Sequence, residues 1–182
     1  MSLKSRMDNR SAEEFAATLS KAEKEEQIIS EAFSIHLSEI SGKSCNSNKI
    51  GVEGGVIEGN LPHNEVDRIF EINGKSIKVE IKTSPHYLKR FFTFKVSSLK
   101  NCIKRKAIIL LFPKADHENF YIIWPNEIQK MLDNKPHEIF RKFSPNDVAV
   151  RIYQDEFIKY LKKVKWKKKA SNYLEALPEI WR

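Results

Sequence analysis

Hydrophobic and polar residues alternate along two neighbouring stretches of the chain, residues 65–72 and residues 76–83. A period of two predicts β-strands that each bury one face. The stretches are separated by Asn73-Gly74, and an Asn-Gly pair favours a type I′ turn because both central residues of that turn need a positive φ. We therefore predict an antiparallel hairpin whose register is set by a two-residue turn.

This register brings Asp67 opposite Glu80 and places Lys82 on the same face, because side chains two residues apart on a strand share a face. Two carboxylates about 5 Å apart repel each other unless a positive charge lies between them. Mg²⁺ or Mn²⁺ suits a site made of oxygen ligands. The alternative is that these residues are the polar face of a surface hairpin, stabilised by cross-strand charge pairs.

Asp67, twelve intervening residues and then Glu80-Ile81-Lys82 followed by Thr83-Ser84 resemble the active-site hairpin of the PD-(D/E)xK nuclease superfamily. That superfamily includes restriction endonucleases, junction resolvases and repair nucleases. Val66 stands where the name-giving pattern has proline. The resemblance covers residues 11–133 and implies a restriction endonuclease-like α/β fold. The expected fold has a long N-terminal helix, a central mixed β-sheet that carries the active-site hairpin, and flanking helices.

The resemblance also implies the chemistry, which is Mg²⁺-dependent hydrolysis of DNA to leave a 5′-phosphate and a 3′-hydroxyl, with Mn²⁺ able to substitute. Asp67, Glu80 and the backbone carbonyl of Ile81 are the expected metal ligands. Lys82 is expected to orient the attacking water and to stabilise charge on the phosphorus. Members often carry a helix glutamate that points toward the metal, and Glu26 is the candidate here, as a ligand of a second metal or of a metal-bound water.

The N-terminal helix is predicted over residues 12–41, as one helix or as two joined by a kink. Ser11 with Glu14 forms a capping-box pattern, and Gly42 is a C-terminal stop. Glu26 falls on the apolar stripe, where a carboxylate is costly unless it is paired or metal-bound. The alternative is that the stripe drifts and leaves Glu26 at its rim. The predicted stripe consists of Phe15, Leu19, Ala22, Ile29, Phe33 and Ile40.

The order of the remaining elements agrees with this core. Residues 49–60 are rich in glycine and predict a bent first strand with a loop. Residues 96–106 have helical spacing, and residues 107–113 form a continuous apolar run typical of a strand buried on both faces. Residues 120–124 predict a further strand, and Pro125 begins a helix that runs to Leu132.

Positive charge is concentrated near the C-terminus, because the net charge is +8 and seven lysines lie between residues 159 and 169. Apolar residues within 157–164 predict a helix docked on the core with its lysines outward. Such a basic segment indicates nucleic-acid binding, and the alternatives are a solubilising tail or an anionic membrane surface. Basic residues are also interspersed with aromatic residues at 85–95, a mixture that suits contact with nucleic acid. The predicted nucleic-acid contacts are Lys89, Arg90, Lys95, Lys162, Lys163, Lys165, Trp166 and Lys167.

With 182 residues, of which 41% are hydrophobic, the chain can bury one core, and its apolar stretches are too short to span a membrane. Cys45 and Cys102 lack paired spacing, which argues against a zinc site or disulfides and fits a reducing cytoplasm. We expect residues 1–10 to be an expression tag or a disordered terminus. The nuclease core is expected at 11–133, with a basic extension at 134–182 packed on the same domain.

Three functions remain open from the sequence. A restriction-type enzyme that cuts duplex DNA as a homodimer is favoured, because residues 134–182 exceed what a minimal junction resolvase needs. A nuclease selective for junctions or flaps is the second. The third is a non-catalytic nucleic-acid-binding module, which would depend on salt but be indifferent to Mg²⁺.

Overall fold

The molecule is described by a computed structural model over residues 11–49, 67–84, 91–113, 118–134, 137–141, 148–175 and 177. Residues 1–10, most of the glycine-rich segment, and the predicted contacts Lys89 and Arg90 lie outside these residues. The helices are α1 (Ala12–Ser41), α2 (Val96–Arg105), α3 (Pro125–Asp133), α4 (Gln154–Phe157) and α5 (Lys168–Leu174), with a 3₁₀ turn at Ile158–Tyr160. The strands are β1 (Cys45–Lys49), β2 (Arg68–Ile72), β3 (Lys75–Ser84), β4 (Phe91–Lys95), β5 (Ile108–Pro113), β6 (Asn119–Ile123), β7 (His137–Arg141), β8 (Val148–Tyr153) and β9 (Lys162–Lys165).

The strands form two sheets. The larger sheet has six strands in the order β1-β2-β3-β5-β6-β9, and the smaller has three in the order β4-β8-β7. In the larger sheet β3 and β5 are parallel, whereas the other neighbouring pairs are antiparallel. The protein is therefore a mixed α/β fold with a central mixed sheet and flanking helices, as predicted. The order of α1, three antiparallel strands, α2 and a strand parallel to β3 is the expected core order, with β4 inserted before α2.

Helix α1 is a single helix with both predicted ends. Ser11 and Glu14 form a complete capping box, and Gly42 ends the helix with a φ of 67°. The predicted stripe is correct at Ile29 and Phe33, which are buried, but Ile40 is 55% exposed and Ala22 is also exposed. A helix of 30 residues is about 45 Å long, whereas a five-residue strand is about 17 Å. The helix therefore extends beyond the strands that it covers.

Two hydrophobic cores lie on the two faces of the larger sheet. The α1-side core joins α1 and α5 to Phe70, Val79, Ile81 and Phe120. The α2-side core joins α2, α3 and the smaller sheet to Ile109, Leu111, Tyr121 and Ile123. Strand β5 contributes alternate residues to the two cores and is buried at all six positions, as its apolar run predicts.

The C-terminal segment differs from its prediction. The helix predicted over 157–164 is wrong, because this segment forms the 3₁₀ turn and then β9, which pairs with β6. Short apolar runs fit a helix or a strand equally well, and here the open edge of β6 decides between them. Helix α5 follows and packs against α1. Of the first strand predicted at 49–60, only Lys49 belongs to the described residues, and it is the last residue of β1.

Trp166, between β9 and α5, joins the C-terminal segment to α1. Its ring is 4.2 Å from that of Phe120 and 5.7 Å from that of His36, measured between centroids. The backbone N–H of Lys167 donates a hydrogen bond of 3.1 Å to Nδ1 of His36. Burial lowers the pKa of His36, with a smaller contribution from Lys167, and the neutral imidazole is the form that accepts this bond.

Candidate active site

The predicted hairpin forms with the predicted register. Asn73 and Gly74 have φ values of 52° and 71°, as a type I′ turn requires, and Ile72 pairs with Lys75. Counting along the ladder from the pair of Arg68 and Val79 brings Asp67, which directly precedes β2, opposite Glu80. The local chemistry of the turn therefore places the two carboxylates on one face of the sheet.

Glu80 is only 7% exposed, and the side chains of Lys82, Ser98 and Asp67 lie around it. Lys82 Nζ lies 2.6 Å from Glu80 Oε1, and the hydroxyl of Ser98 on α2 donates a 3.0 Å hydrogen bond to the same oxygen. Asp67 Oδ2 accepts a 2.7 Å hydrogen bond from the backbone N–H of Ile81. Asp67, Glu80 and Lys82, the three residues predicted from the hairpin, therefore form one site on the side of the sheet that α2 covers.

Electrostatics show that this site has an excess of negative charge. Burial and, to a smaller extent, the neighbouring Glu80 carboxylate raise the pKa of the Asp67 carboxyl to about 7, against the opposing effects of Lys82 and the Ile81 N–H. Burial alone would lower the pKa of Lys82, but Glu80 and Asp67 raise it above its ordinary value. One ammonium group thus does not neutralise two carboxylates, and a further cation would let both carboxylates ionise.

The donor set fits a hard divalent cation. Within the described parts of the chain, no three His, Cys, Asp or Glu side chains converge to form a complete metal cage. Mg²⁺ does not need one, because it keeps several waters and is usually held by one or two carboxylates together with substrate phosphate. Asp67 and Glu80 supply two such carboxylates, and a cation bound between them would lower the pKa of Asp67, which burial and then Glu80 raise.

Glu26, the candidate helix carboxylate, forms an ion pair with Arg68 in this structure. Its Oε1 lies 3.0 Å from Nε of Arg68, a residue that is 4% exposed, and Arg68 also donates a 2.7 Å hydrogen bond to Oε1 of Gln27. Arg68 pairs with Val79 of the α1-side core, so Glu26 approaches the hairpin from the α1 side. Its charge still raises the pKa of Asp67, though less than Glu80 does.

The predicted nucleic-acid contacts divide into exposed lysines and one buried ring. Lys95 lies exposed at the end of β4. Trp166 is 4% exposed and packs in the α1-side core, so its position does not fit the predicted contact with nucleic acid. A tryptophan among lysines predicts an exposed ring. In the structure, however, Val164 of β9 and Trp166 both pack in the α1-side core. The four lysines of the C-terminal segment that were predicted as contacts are all exposed: Lys162, Lys163, Lys165 and Lys167.

Sequence reasoning missed two α2 residues beside the site. Ser98 contacts Glu80 directly, and Cys102 is fully buried, with burial and then the Glu80 carboxylate raising its pKa to about 12. Helical spacing predicted α2 correctly, but which of its turns covers the hairpin depends on packing. The order of the elements was the signal that could have placed α2 beside the site. A connection between two parallel neighbouring strands, here β3 and β5, must cross a face of the sheet.

Comparisons with known proteins give a distant likeness in fold. No protein-family model matches the chain, and no curated protein matches it. Among solved structures, the chain is similar to Hjc, a Holliday junction resolvase from the archaeal hyperthermophile Archaeoglobus fulgidus. The identity is 7%, the TM-score is 0.40, and the likeness covers 71% of this chain and 86% of that chain.

The helices in the described residues are too short or too polar to span a bilayer.

Proposed function

We propose that the protein is a Mg²⁺-dependent endodeoxyribonuclease of the PD-(D/E)xK superfamily, in which Mn²⁺ can replace Mg²⁺. The observation that carries this proposal is the cluster of Asp67, Glu80 and Lys82, in which a buried carboxylate faces a second carboxylate and lies 2.6 Å from an ammonium group. The order of helix, hairpin, helix and parallel strand around the cluster supports it.

In this proposal Asp67, Glu80 and the backbone carbonyl of Ile81 hold the cation. The cation, when bound, polarises the scissile phosphate and lowers the pKa of a water molecule. Lys82 orients the attacking water by hydrogen bonding and stabilises the negative charge that develops on the phosphate oxygens. Ser98 holds Oε1 of Glu80, so that the carboxylate keeps one orientation while Lys82 turns toward the substrate. Hydrolysis leaves a 5′-phosphate and a 3′-hydroxyl.

Glu26 can take part in metal binding only if its ion pair with Arg68 breaks. It now pairs with Arg68 at 3.0 Å, and it must leave Arg68 to hold a second metal or a metal-bound water. Replacing Glu26 with Gln separates two roles. A metal-linked role predicts that the Mg²⁺ concentration needed for half-maximal cleavage rises, whereas a role limited to Arg68 predicts lower thermal stability with unchanged Mg²⁺ dependence.

The first test is cleavage of supercoiled plasmid in Mg²⁺, Mn²⁺ and EDTA by the unaltered protein and by Lys82→Ala. Lys75→Ala is the matched control, because Lys75 lies on the same strand at the exposed end of the hairpin. We expect cleavage that EDTA and Lys82→Ala abolish and that Lys75→Ala preserves. Full activity of Lys82→Ala would disprove the site assignment. No cleavage in either metal, with salt-sensitive DNA binding retained, would indicate the non-catalytic binding module.

The form of DNA that is cut is tested with two substrates, a linear duplex and a four-way junction of the same sequence. A restriction-type enzyme, which we favour because of residues 134–182, releases discrete fragments from the duplex. A structure-selective nuclease cuts the junction at its branch point and leaves the duplex intact. Both activities cut two strands and are expected of a homodimer, so sedimentation velocity of the active protein accompanies this test.

A further inference from the structure

The seven lysines of residues 159–169 do not form one continuous patch in the folded protein. Lys159 is paired with Glu156, with 2.9 Å between Nζ and Oε1. Lys168 and Lys169 lie on α5, which packs against α1. Three lysines belong to β9, and successive residues of a strand point to opposite faces of its sheet. The position of each β9 lysine therefore depends on the register between β9 and β6.

That register places Lys163 in line with the proposed catalytic lysine. Lys82 pairs with Leu111, Leu111 pairs with Tyr121, and Tyr121 pairs with Lys163. Residues directly opposite each other on neighbouring strands project from the same face, so Lys163 lies on the α2 side of the sheet, as Lys82 does. Three interstrand spacings separate the two backbones, which is about 14 Å.

Lys165 extends this line toward the end of the sheet where the candidate active site lies. It pairs with Asn119 and is two residues from Lys163, so it shares the same face. Its Nζ is 3.9 Å from a carboxylate oxygen of Glu118, and both side chains are more than 70% exposed, at 77% and 76%. An exposed pair at this distance is weak and is readily replaced by another anion.

Lys162 and Val164 project to the opposite face. Lys162 pairs with Ile122 and Val164 pairs with Phe120, and both partners contribute to the α1-side core. Lys162 is nevertheless exposed, because β9 is the last strand in the described sheet. Strand β9 thus has two lysines on the side of the candidate active site and one lysine on the other side.

We infer that Lys163 and Lys165 bind the phosphate backbone of double-stranded DNA whose scissile phosphate lies at the site formed by Asp67, Glu80 and Lys82. This inference rests on the proposed nuclease function. The separation of about 14 Å is close to the width of the major groove of B-DNA, about 12 Å, so Lys82 and Lys163 contact phosphates on the two sides of a groove. Lys162, Lys168 and Lys169 lie on the α1 side and do not bind this DNA.

The segment favours duplex DNA because it offers charge without an exposed aromatic ring. Its two aromatic residues, Tyr160 and Trp166, are 8% and 4% exposed. Proteins that hold single strands stack bases on aromatic side chains, whereas duplex binding obtains most of its sequence-independent affinity from lysine and arginine contacts to phosphate. Lysines on an edge strand also prevent pairing with other strands, but that role applies to Lys162 as much as to Lys163.

The test compares two double variants that each remove two positive charges. Lys163→Ala with Lys165→Ala removes the lysines on the active-site side, and Lys162→Ala with Lys168→Ala removes two exposed lysines elsewhere. Binding of a fluorescent 20-base-pair duplex is measured by anisotropy in EDTA between 50 and 200 mM NaCl. We expect the first variant to bind at least about 10-fold more weakly and the slope of log K against log salt to fall by about 1.8, as two lost phosphate contacts predict.

The control double variant is expected to bind within about threefold of the unaltered protein with an unchanged salt slope. Equal losses in the two variants, or no loss in the first, would overturn the inference, and so would equal affinity for single-stranded DNA. Lys163→Arg with Lys165→Arg keeps the charges and should restore binding, which separates loss of contact from loss of folding or edge pairing.

Cleavage is scored separately, so that the two proposals can fail independently. If the unaltered protein cuts DNA, Lys163→Ala with Lys165→Ala should raise KM and leave kcat nearly unchanged, because neither lysine touches the scissile phosphate. If the protein cuts no DNA in any metal while these lysines still determine duplex affinity, the nuclease function fails and the surface is a DNA-binding surface alone. If the protein cuts DNA and both double variants bind alike, only the surface assignment fails.

Discussion

The two faces of strand β3 are buried to a similar degree but have opposite chemistry. Val79 and Ile81 are 0% and 6% exposed and pack in the α1-side core, whereas Glu80 between them is 7% exposed and meets Lys82 and Ser98. Burial of apolar groups stabilises a fold directly. Burial of an ion pair contributes little or costs stability, because both charges lose their hydration. We infer that the α1 side serves folding and that the charges on the α2 side are kept for chemistry.

The largest effect expected on the charged face is on activity. Replacing Glu80 with Gln keeps the size of the side chain and removes the charge that would hold a cation. We expect cleavage to fall by about 10⁴-fold, or about 5.4 kcal/mol of transition-state stabilisation. The rate of plasmid cleavage at saturating Mg²⁺ is the measurement, with Glu71→Gln, an exposed glutamate on β2, as the control. Cleavage within tenfold of normal would show that this face does not carry the chemistry.

The largest effect expected on the apolar face is on stability. Phe70 of β2 is fully buried, and its ring packs edge-on against Phe33 with 5.0 Å between centroids. Phe70→Ala should lower the free energy of unfolding by about 3–5 kcal/mol, as measured by urea denaturation. Ile40→Ala, at a position that is 55% exposed, should change it by about 0.5 kcal/mol or less. Similar losses in both variants would mean that the α1-side core is not what stabilises the fold.

A pH dependence sharpens the comparison, because the charged face contains a buried carboxyl group that titrates. Burial and Glu80 raise the pKa of Asp67 from 3.8 to about 7 in the folded protein, so the unfolded chain releases this proton first as the pH rises. The contribution of Asp67 to the free energy of unfolding is therefore full below pH 4 and is lost as the pH rises to about 7. In EDTA we expect the difference in Tm between the unaltered protein and Asp67→Asn to change by roughly 9–17 °C over this range.

Mg²⁺ provides the control for that experiment. Added at pH 8, it should raise the Tm of the unaltered protein, because a ligand that binds only the folded state stabilises it, and it should not raise the Tm of Asp67→Asn. If the difference in Tm between the two proteins stays constant from pH 4 to pH 8, Asp67 does not titrate as its surroundings indicate.

The smallest effect expected is that of Ser98. Ser98→Ala removes the 3.0 Å hydrogen bond to Glu80 Oε1, and a bond to a charged group contributes about 1.5–3 kcal/mol. We expect kcat to fall about tenfold and the apparent affinity for Mg²⁺ to decrease, while KM for DNA is unchanged. Ser97→Ala, at the exposed neighbouring position, should behave as the unaltered protein. Equal effects of the two substitutions would assign Ser98 to helix stability alone.

The sequence predicted the hairpin well because its determinants are local. Asn73-Gly74 sets the turn, and the turn sets the register that places Asp67 opposite Glu80. Position along the sequence does not reveal which side of a sheet a helix covers, so Ser98 was missed and Glu26 was not expected to meet Arg68. The smaller sheet was missed because strand pairing over a long distance leaves no local signal, and β4 pairs with β8, more than fifty residues later.

The C-terminal segment was mispredicted because its conformation depends on distant partners. Lys162 to Lys165 forms a strand only because β6 offers an unpaired edge, and Trp166 is buried because His36 and Phe120 surround it. A lysine-rich stretch with a few apolar residues contains no local signal for either outcome.

The position of Trp166 has a consequence for how the protein folds during synthesis. The hairpin of β2 and β3 forms from residues that leave the ribosome close together, and a hairpin closes within microseconds. The α1-side core, in contrast, contains Ile29 and Phe33 as well as Trp166, Ala170, Leu174 and Leu177. The part of this face that Trp166 and α5 cover therefore stays exposed until residue 177 has been translated, and exposed apolar surface makes a nascent chain prone to aggregation during that interval.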